Sequence, residues 1–486
     1  MAWCGLGLLA LVAAGIALTG APAFLVLLTA ASAGGALAVL SDTVPASLLT
    51  ALPGRLVNLL ENDLLQALPL YVLMGVLLDR LAIADALFRT SVRLLPKSAA
   101  APVMAGLGLG ALLGPMNGSV GASVLSLARA VEPRLDASGV PAPLRYATIC
   151  VASTLGVVIP PSLVLILLGD AMLSAHTIAV TATGRPDRVI NTQDVFHGAL
   201  APAGLFFAAA LAVAWLTARG APSPGSAAGR ADVTARQATL ALVALVALIG
   251  LLGGVAAGFI FPVEGAASGA GALLLGGLLA GRLRWAVLGP ALADVMAITG
   301  ALFALLIGAT SLTLVLRLLG TDRLIGDWLI ALPGGDVVAV VTVLAIIGLS
   351  AFVLDAFEII FVVVPIVVPP LLIRVADARW VAVLVLLTLQ MSFLLPPFGY
   401  ALMMLRGTLK LAVPLGPLTR ALAPFLLAQW LVLAIVLAAP RLVHLGEPPG
   451  DRLRTAPSTL SPADVDDRLR QMIPPPPEVS APDLRP

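Results

Sequence analysis

Residues 153–162 read STLGVVIPPS and residues 392–401 read SFLLPPFGYA. Each sets a proline pair inside a long apolar run. Proline has no N–H to donate and its ring clashes with the preceding turn, so a doublet predicts a broken helix at Pro160 and Pro161 and again at Pro396 and Pro397. In hydrocarbon, a broken helix persists only where protein or a wet cavity satisfies the freed backbone groups. Two such breaks, one in each half of a chain, point to a binding site near the bilayer midplane.

The remainder of the sequence agrees with a bilayer. Of 486 residues, 60% are hydrophobic and 11% charged, against roughly 25% charged in soluble domains. Mean hydropathy is +1.06, and many apolar runs approach the ~20 residues a spanning helix needs. The expected class is an all-α polytopic membrane protein, because barrel strands would alternate over short segments. A net charge of +2 gives no reason to expect nucleic acid. The two lysines, Lys97 and Lys410, do not follow a GxxxxG stretch, so ATP chemistry on a Walker loop is excluded. Neither a metal-ligand spacing nor a nucleophile–base pattern occurs, so an intramembrane enzyme is disfavoured. His176, His197 and His444 fall in polar segments and read as solvated. The first twenty residues lack the basic start of a signal peptide and read as a retained span.

Along the chain, residues 101–128 are apolar but rich in Gly, Ser and Pro. That composition suits a re-entrant hairpin with its tip near Pro115 and Asn117; the alternative is a helix using small residues for close packing. GxxxG spacings are too frequent in so Gly-rich a chain to carry weight. The stretch 174–197 is polar. The linker 219–237 is flexible in composition and basic. Positive charge places the linker in the cytoplasm and 174–197 outside. After Pro440 the apolar pattern stops, and the Pro-rich tail reads as disordered. Its basic start (Arg441, Arg452, Arg454) reads as cytoplasmic.

The halves align. Pro160 and Pro161 fall on Pro396 and Pro397 at an offset of 396 − 160 = 236, which also places Ser119 on Asp355 and Pro133 on Pro369. With one residue of slip, Asp85 meets Asp322 and Pro96 meets Pro333. The basic break at 79–97 against the sparser 317–333 favours inverted repeats.

The costliest residues are Asp355 and Glu358, acids inside an apolar run, at roughly 2.5–3.5 kcal/mol each on insertion scales. Their i, i+3 spacing puts both on one face if the backbone there is helical. Such acids mark an ion or substrate path, or else bond a neighbouring helix end. Asn117, Gly118, Ser119 and Ser123, with Ser153, Thr154 and Ser162, offer the oxygens and unwound carbonyls that suit Na⁺. Gln390 and Ser392 precede the second proline pair. Arg406 follows it and can offer a fork to a carboxylate or snorkel to the interface.

At these residues the chain resembles the large membrane subunit (DctM-type) of tripartite ATP-independent periplasmic (TRAP) transporters. The resemblance is carried by GPMNGSVGASV (114–124), YATICVASTLGVVIPPSLVLILLGD (146–170), FVLDAFEIIFVVVP (352–365) and LQMSFLLPPFGYALMMLRG (389–407). It implies an inverted-repeat, elevator-type fold with two re-entrant hairpins. It implies Na⁺-driven import of an organic acid, typically a carboxylate, with no organic cofactor. It also implies a periplasmic binding protein, a separate small subunit of about four helices, and a bacterial or archaeal cell membrane. By motif, Asn117 to Ser119, Ser153, Thr154, Asp355, Gln390 and Ser392 become ion-binding. Ser123, Pro160, Pro161, Glu358, Pro396, Pro397 and Arg406 become substrate-binding. Leu395 and Val157 stand where the family often has Thr and Gln, so neither gives a side-chain oxygen.

The expected division is scaffold spans at 1–65, a first repeat at 66–218, the linker at 219–237, and scaffold and arm helices at 238–303. A second repeat at 304–440 and the tail at 441–486 complete it. The competing reading is a binding-protein-independent ion or anion antiporter of related hairpin architecture.

Overall fold

The computed structural model describes residues 2–41, 51–61, 63–81, 83–95, 98–117, 119–185, 188–219, 235–397, 399–409 and 414–445. Gly118, most of the linker and the tail from Gly446 lie outside the described residues. The described chain is helical, and nine of its helices are long and apolar enough to cross a membrane.

Helices α1 (Ala2–Thr19), α2 (Ala23–Leu40) and the short amphipathic α3 (Ala51–Leu60) lead into one series of elements. That series is α4 (Asp63–Arg80), α5 (Ile83–Leu94), α6 (Ala101–Leu113), α7 (Val120–Ala130), α8 (Glu132–Ala137), α9 (Ala142–Val158), α10 (Leu163–Thr183) and α11 (Thr192–Ala218). Helices α12 (Ala235–Ala256) and α13 (Pro262–Leu279) follow. The order then recurs as α14 (Trp285–Leu318), α15 (Thr321–Ile330), α16 (Asp336–Ser350), α17 (Ala356–Glu358), α18 (Val364–Arg374), α19 (Ala378–Ser392), α20 (Tyr400–Leu409) and α21 (Leu415–Ala438). A π turn joins α17 to α18, and a 3₁₀ turn, Pro440–His444, ends the described chain. Corresponding helices touch: α4 packs on α14, α9 on α19 and α11 on α21. Cross-contacts are reciprocal, α7 with α20 and α18 with α10.

The proline pairs break helices as their chemistry requires. Helix α9 stops at Val158, Ile159 is extended, and α10 restarts after Ser162. Helix α19 stops at Ser392 and α20 restarts at Tyr400. Both prolyl–prolyl bonds are cis. Gly399 closes the second break because its backbone sits where a Cβ would stand 2.7 Å from the Phe393 carbonyl oxygen.

Two further breaks fold the chain back on itself. In the first, a Cβ on Gly106 of α6 would stand 3.1 Å from Val131, which lies beyond the far end of α7. Its base is tied to α5 by the Arg134–Asp85 ion pair. In the second, Arg374 at the end of α18 donates to the carbonyls of Leu329 (2.9 Å), Leu332 (3.2 Å) and Gly334 (2.9 Å) around the start of α16. The two bases lie at opposite ends of the bundle. Arg282, after α13, reaches the Leu81 carbonyl beside the first base. The other end of α13 adjoins Val255 and Ala256, whose carbonyls accept from Gln193 at the start of α11. Arg379, next to the second base, bonds Asp194 in that same turn of α11.

This geometry corrects one expectation. Helix α11 has 27 residues, about 40 Å of rise, so its ends lie on opposite sides of a bilayer. The linker leaves its C-terminal end. The Pro440–His444 turn packs at its N-terminal end, where a Cβ on Gly198 would stand 2.8 Å from Val443 and His444 pairs with Asp377 at 2.8 Å. Linker and tail therefore leave from opposite ends and cannot both be cytoplasmic. Three arginines after a span do not set its direction once the preceding helices have fixed it. In a background lacking Cys4 and Cys150, single cysteines at Ser226 and Leu445 are expected to react with an impermeant maleimide from opposite sides of the membrane. Labelling of both from one side of sealed vesicles would contradict this topology.

One smaller expectation also changes. His176 is buried in α10, where its Nδ1 accepts from the Ile190 N–H at 3.2 Å, and is not solvated. The segment 174–197 is mostly helix, with α10 ending at Thr183 on Gly184 in the left-handed region (φ 64°). That conformation costs glycine little.

Candidate functional site

The first fold-back, the first proline break and α9 enclose a small cavity of about 10 Å³, lined by Ser119, Ser153 and Ser162 with Gly114 and Gly156. That is room for about one water- or ion-sized sphere. Ser119 caps α7 by accepting from Ala122 N at 3.1 Å. Ser162 caps α10 by accepting from Leu165 N at 3.1 Å, and donates to the Val157 carbonyl at 2.9 Å, joining the two half-helices. Ser153 and Thr154 donate to the carbonyls of Cys150 (2.7 Å) and Val151 (3.0 Å), so their oxygens keep lone pairs for a further partner. Asn117, at the tip, donates from Nδ2 to Ser123 Oγ at 3.3 Å. The sequence names all three serines, and the structure brings Ser119, Ser153 and Ser162 to one cavity.

The second tip holds Asp355 and Glu358, but not as two residues on a helix face. Asp355 is extended and stands before α17. Its Oδ1 accepts from Ala356 N at 2.7 Å, and Glu358 Oε2 reaches back to Asp355 N at 3.0 Å. The D-x-x-E spacing is a reciprocal cap, a signature legible in the sequence that the helical reading passed over. Gln390 is fully buried, and neither amide atom has a hydrogen-bond partner among the described residues. Ser392 donates to Thr388 at 2.7 Å and faces Gly348 of α16. Pro160 and Pro161 are buried, whereas Pro397 is exposed.

Tyr400 links the tips. Its hydroxyl sits 3.0 Å from where a Cβ on Gly121 of α7 would stand, and it lies within electrostatic range of Asp355 and Glu358. Met404 covers the same glycine. Arg406, two residues further, lies about 200° around α20 from Met404. A larger cavity of about 720 Å³ lies between α1, α15 and the second fold-back, lined by residues such as Trp3, Trp328 and Ile366. It lacks the convergent polar groups that orient a ligand.

Helix breaks facing one another inside an apolar bundle define a multi-pass membrane carrier. The chain belongs to the family described as the DctM component of tripartite ATP-independent periplasmic transporters, whose profile matches residues 8–442. It is 23% identical over 404 residues to the C4-dicarboxylate TRAP transporter large permease protein DctM of Rhodobacter capsulatus, covering 82% of this chain and 88% of that one. It is 20% identical over 390 residues to the sialic acid TRAP transporter permease protein SiaT of Haemophilus influenzae (strain 86-028NP), covering 80% of this chain. The match spans 60% of SiaT's length. Among solved structures, the fold is similar to the YdaH transporter of Alcanivorax borkumensis, with a TM-score of 0.58 and 16% identity over 86% of this chain and 96% of that one. It is also similar to MtrF of Neisseria gonorrhoeae, with a TM-score of 0.54 and 14% identity over 80% and 83%.

Proposed function

We propose that this chain is the membrane-spanning large subunit of a secondary transporter that imports an organic acid on a Na⁺ gradient. A periplasmic binding protein delivers the acid, and a small four-helix subunit completes the complex in a bacterial or archaeal cell membrane. The observation that carries the reading is the pairing of two fold-back tips with two proline breaks, one tip lined by hydroxyls and the other by two carboxylates. The fold-backs opening toward opposite ends of the bundle support inverted repeats with re-entrant hairpins, the architecture of an elevator-type carrier.

In this reading the serine cavity and the Asp355 tip hold coupling cations. Hard cations favour oxygen ligands, and helix starts beside them attract the carboxylate of the substrate. Repeat inversion lets one set of breaks face each side in turn. The antiporter alternative is separated by uptake into vesicles without any soluble partner.

The test is thermal unfolding of the purified protein in NaCl against choline chloride at constant ionic strength. Saturable stabilisation by Na⁺ is expected, because a ligand selective for the folded state raises stability once its concentration exceeds Kd. Asp355→Asn should melt near wild type in choline, since Asn caps a helix as well as Asp does, and should lose the Na⁺ response. A variant that keeps the response removes Asp355 from the site.

A further inference from the structure

Helix α4 presents Tyr71, Gly75 and Asp79 at successive i, i+4 positions, hence on one face. That face seats the first fold-back. A Cβ on Gly75 would stand 2.6 Å from the Met116 carbonyl oxygen, 3.1 Å from Asn117 Cα and 3.3 Å from Asn117 Oδ1. One turn on, Asp79 accepts from Ser126 Oγ at 3.4 Å and pairs with Arg129 at 3.6 Å along the shaft of α7. Tyr71 lies one turn the other way. Helical side chains lean toward the helix N-terminus, so its phenol extends past the tip rather than along the shaft.

Tyr71 is 1% exposed, yet its hydroxyl has no hydrogen-bond partner among the described residues. An unmet buried hydroxyl destabilises the fold, and phenylalanine would fill the same space without that cost. Its neighbours along α4 are explained by the fold-back they hold, whereas the hydroxyl is not. A phenol donates one proton readily and suits an oxyanion better than it suits a cation.

We propose that Tyr71 contacts the transported molecule at the first tip, its hydroxyl donating a hydrogen bond to a ligand carboxylate oxygen. The proposal rests on the organic-acid reading above and adds a residue that no motif supplied. Sequence inspection passed over it because an aromatic in an apolar helix reads as core.

The test uses the full chain, wild type and Tyr71→Phe. Melting in choline chloride without any carboxylate is expected to be unchanged or higher in the variant. Sodium pyruvate, succinate, malate and citrate are then titrated at fixed Na⁺. The half-stabilising concentration of the acid that wild type answers to should rise about tenfold in the variant, within the range of a hydrogen bond to a charged group. A variant that melts lower without ligand would show that the hydroxyl has an internal partner, and would overturn the proposal. So would an unchanged half-stabilising concentration. If wild type answers to none of the acids, the organic-acid reading fails and takes this proposal with it; if wild type answers and the variant matches it, the proposal alone fails.

Discussion

A Gly156→Val variant is expected to yield little folded protein, whereas Gly108→Ala, on the same bundle, should purify as wild type does. Gly156 of α9 lies against the backbone of Gly114, so closely that an added Cβ would stand 2.6 Å from the Gly114 carbonyl oxygen. The reverse contact is as tight, with a Cβ on Gly114 falling 2.7 Å from Gly156 Cα. One turn away, Gly110 faces the Ala152 backbone in the same manner. Gly110 and Gly114 against Ala152 and Gly156 form a small-xxx-small seam, which lets two helices approach to backbone contact. The obstructing atoms are backbone and cannot rotate aside. Overpacking costs about 1–3 kcal/mol even where side chains can adjust, and here α6 must leave α9, taking the serine cavity with it. Gly108 has open space around it, and alanine is the better helix former. Size-exclusion profiles and melting temperatures of the two variants check the contrast. A Gly156→Val protein melting as wild type does would refute the seam.

Arg379→Ala should be the second severe lesion. Asp194 Oδ1 accepts from Arg379 at 2.9 Å and from Arg188 at 2.7 Å, and its Oδ2 accepts from Asn191 N at 2.9 Å. The Arg379 and Asp194 side chains are each only 10% exposed, whereas Arg188 is 46% exposed and screened by solvent. Removing one partner of a buried pair costs about 3–5 kcal/mol, because the remaining charge stays buried. Arg188 keeps one contact, so the lower end of that range is expected. Replacing both groups with neutral ones, Arg379→Met with Asp194→Asn, should recover much of the loss. Strict additivity of the two substitutions in melting experiments would show that the pair does not act as a unit.

How far the fold was legible depended on backbone chemistry. Pro160, Pro161, Pro396 and Pro397 announced their breaks because proline acts on its own helix whatever surrounds it. The 236-residue offset was visible for the same reason. GxxxG spacing, by contrast, occurs throughout the chain, and only the facing helix singles out Gly110 and Gly114. Asp355 and Glu358 stood out by their cost in an apolar run, but the shared face holds only for a continuous helix, and here the D-x-x-E pattern makes a cap. Ser162 was legible beside its proline pair, but Tyr71 was not, because it owes its importance to a partner it lacks. Local charge counts placed linker and tail on one side, and this failed because the directions of α11 and α21, not the residues that follow them, set the two at opposite ends.

The reciprocal cap at the second tip has a bearing on how the protein behaves when nothing is bound. Asp355 and Glu358 spend one oxygen each on starting their own helix, and a carboxylate offers about four lone-pair sites. In the proposed cycle a cation arriving there would find the acids already aimed and would leave the helix start intact on departing. Occupied and empty tips can therefore share nearly one shape. A carrier must make its return stroke unloaded without unravelling, and here that rigidity is supplied by the acids that would receive the ion.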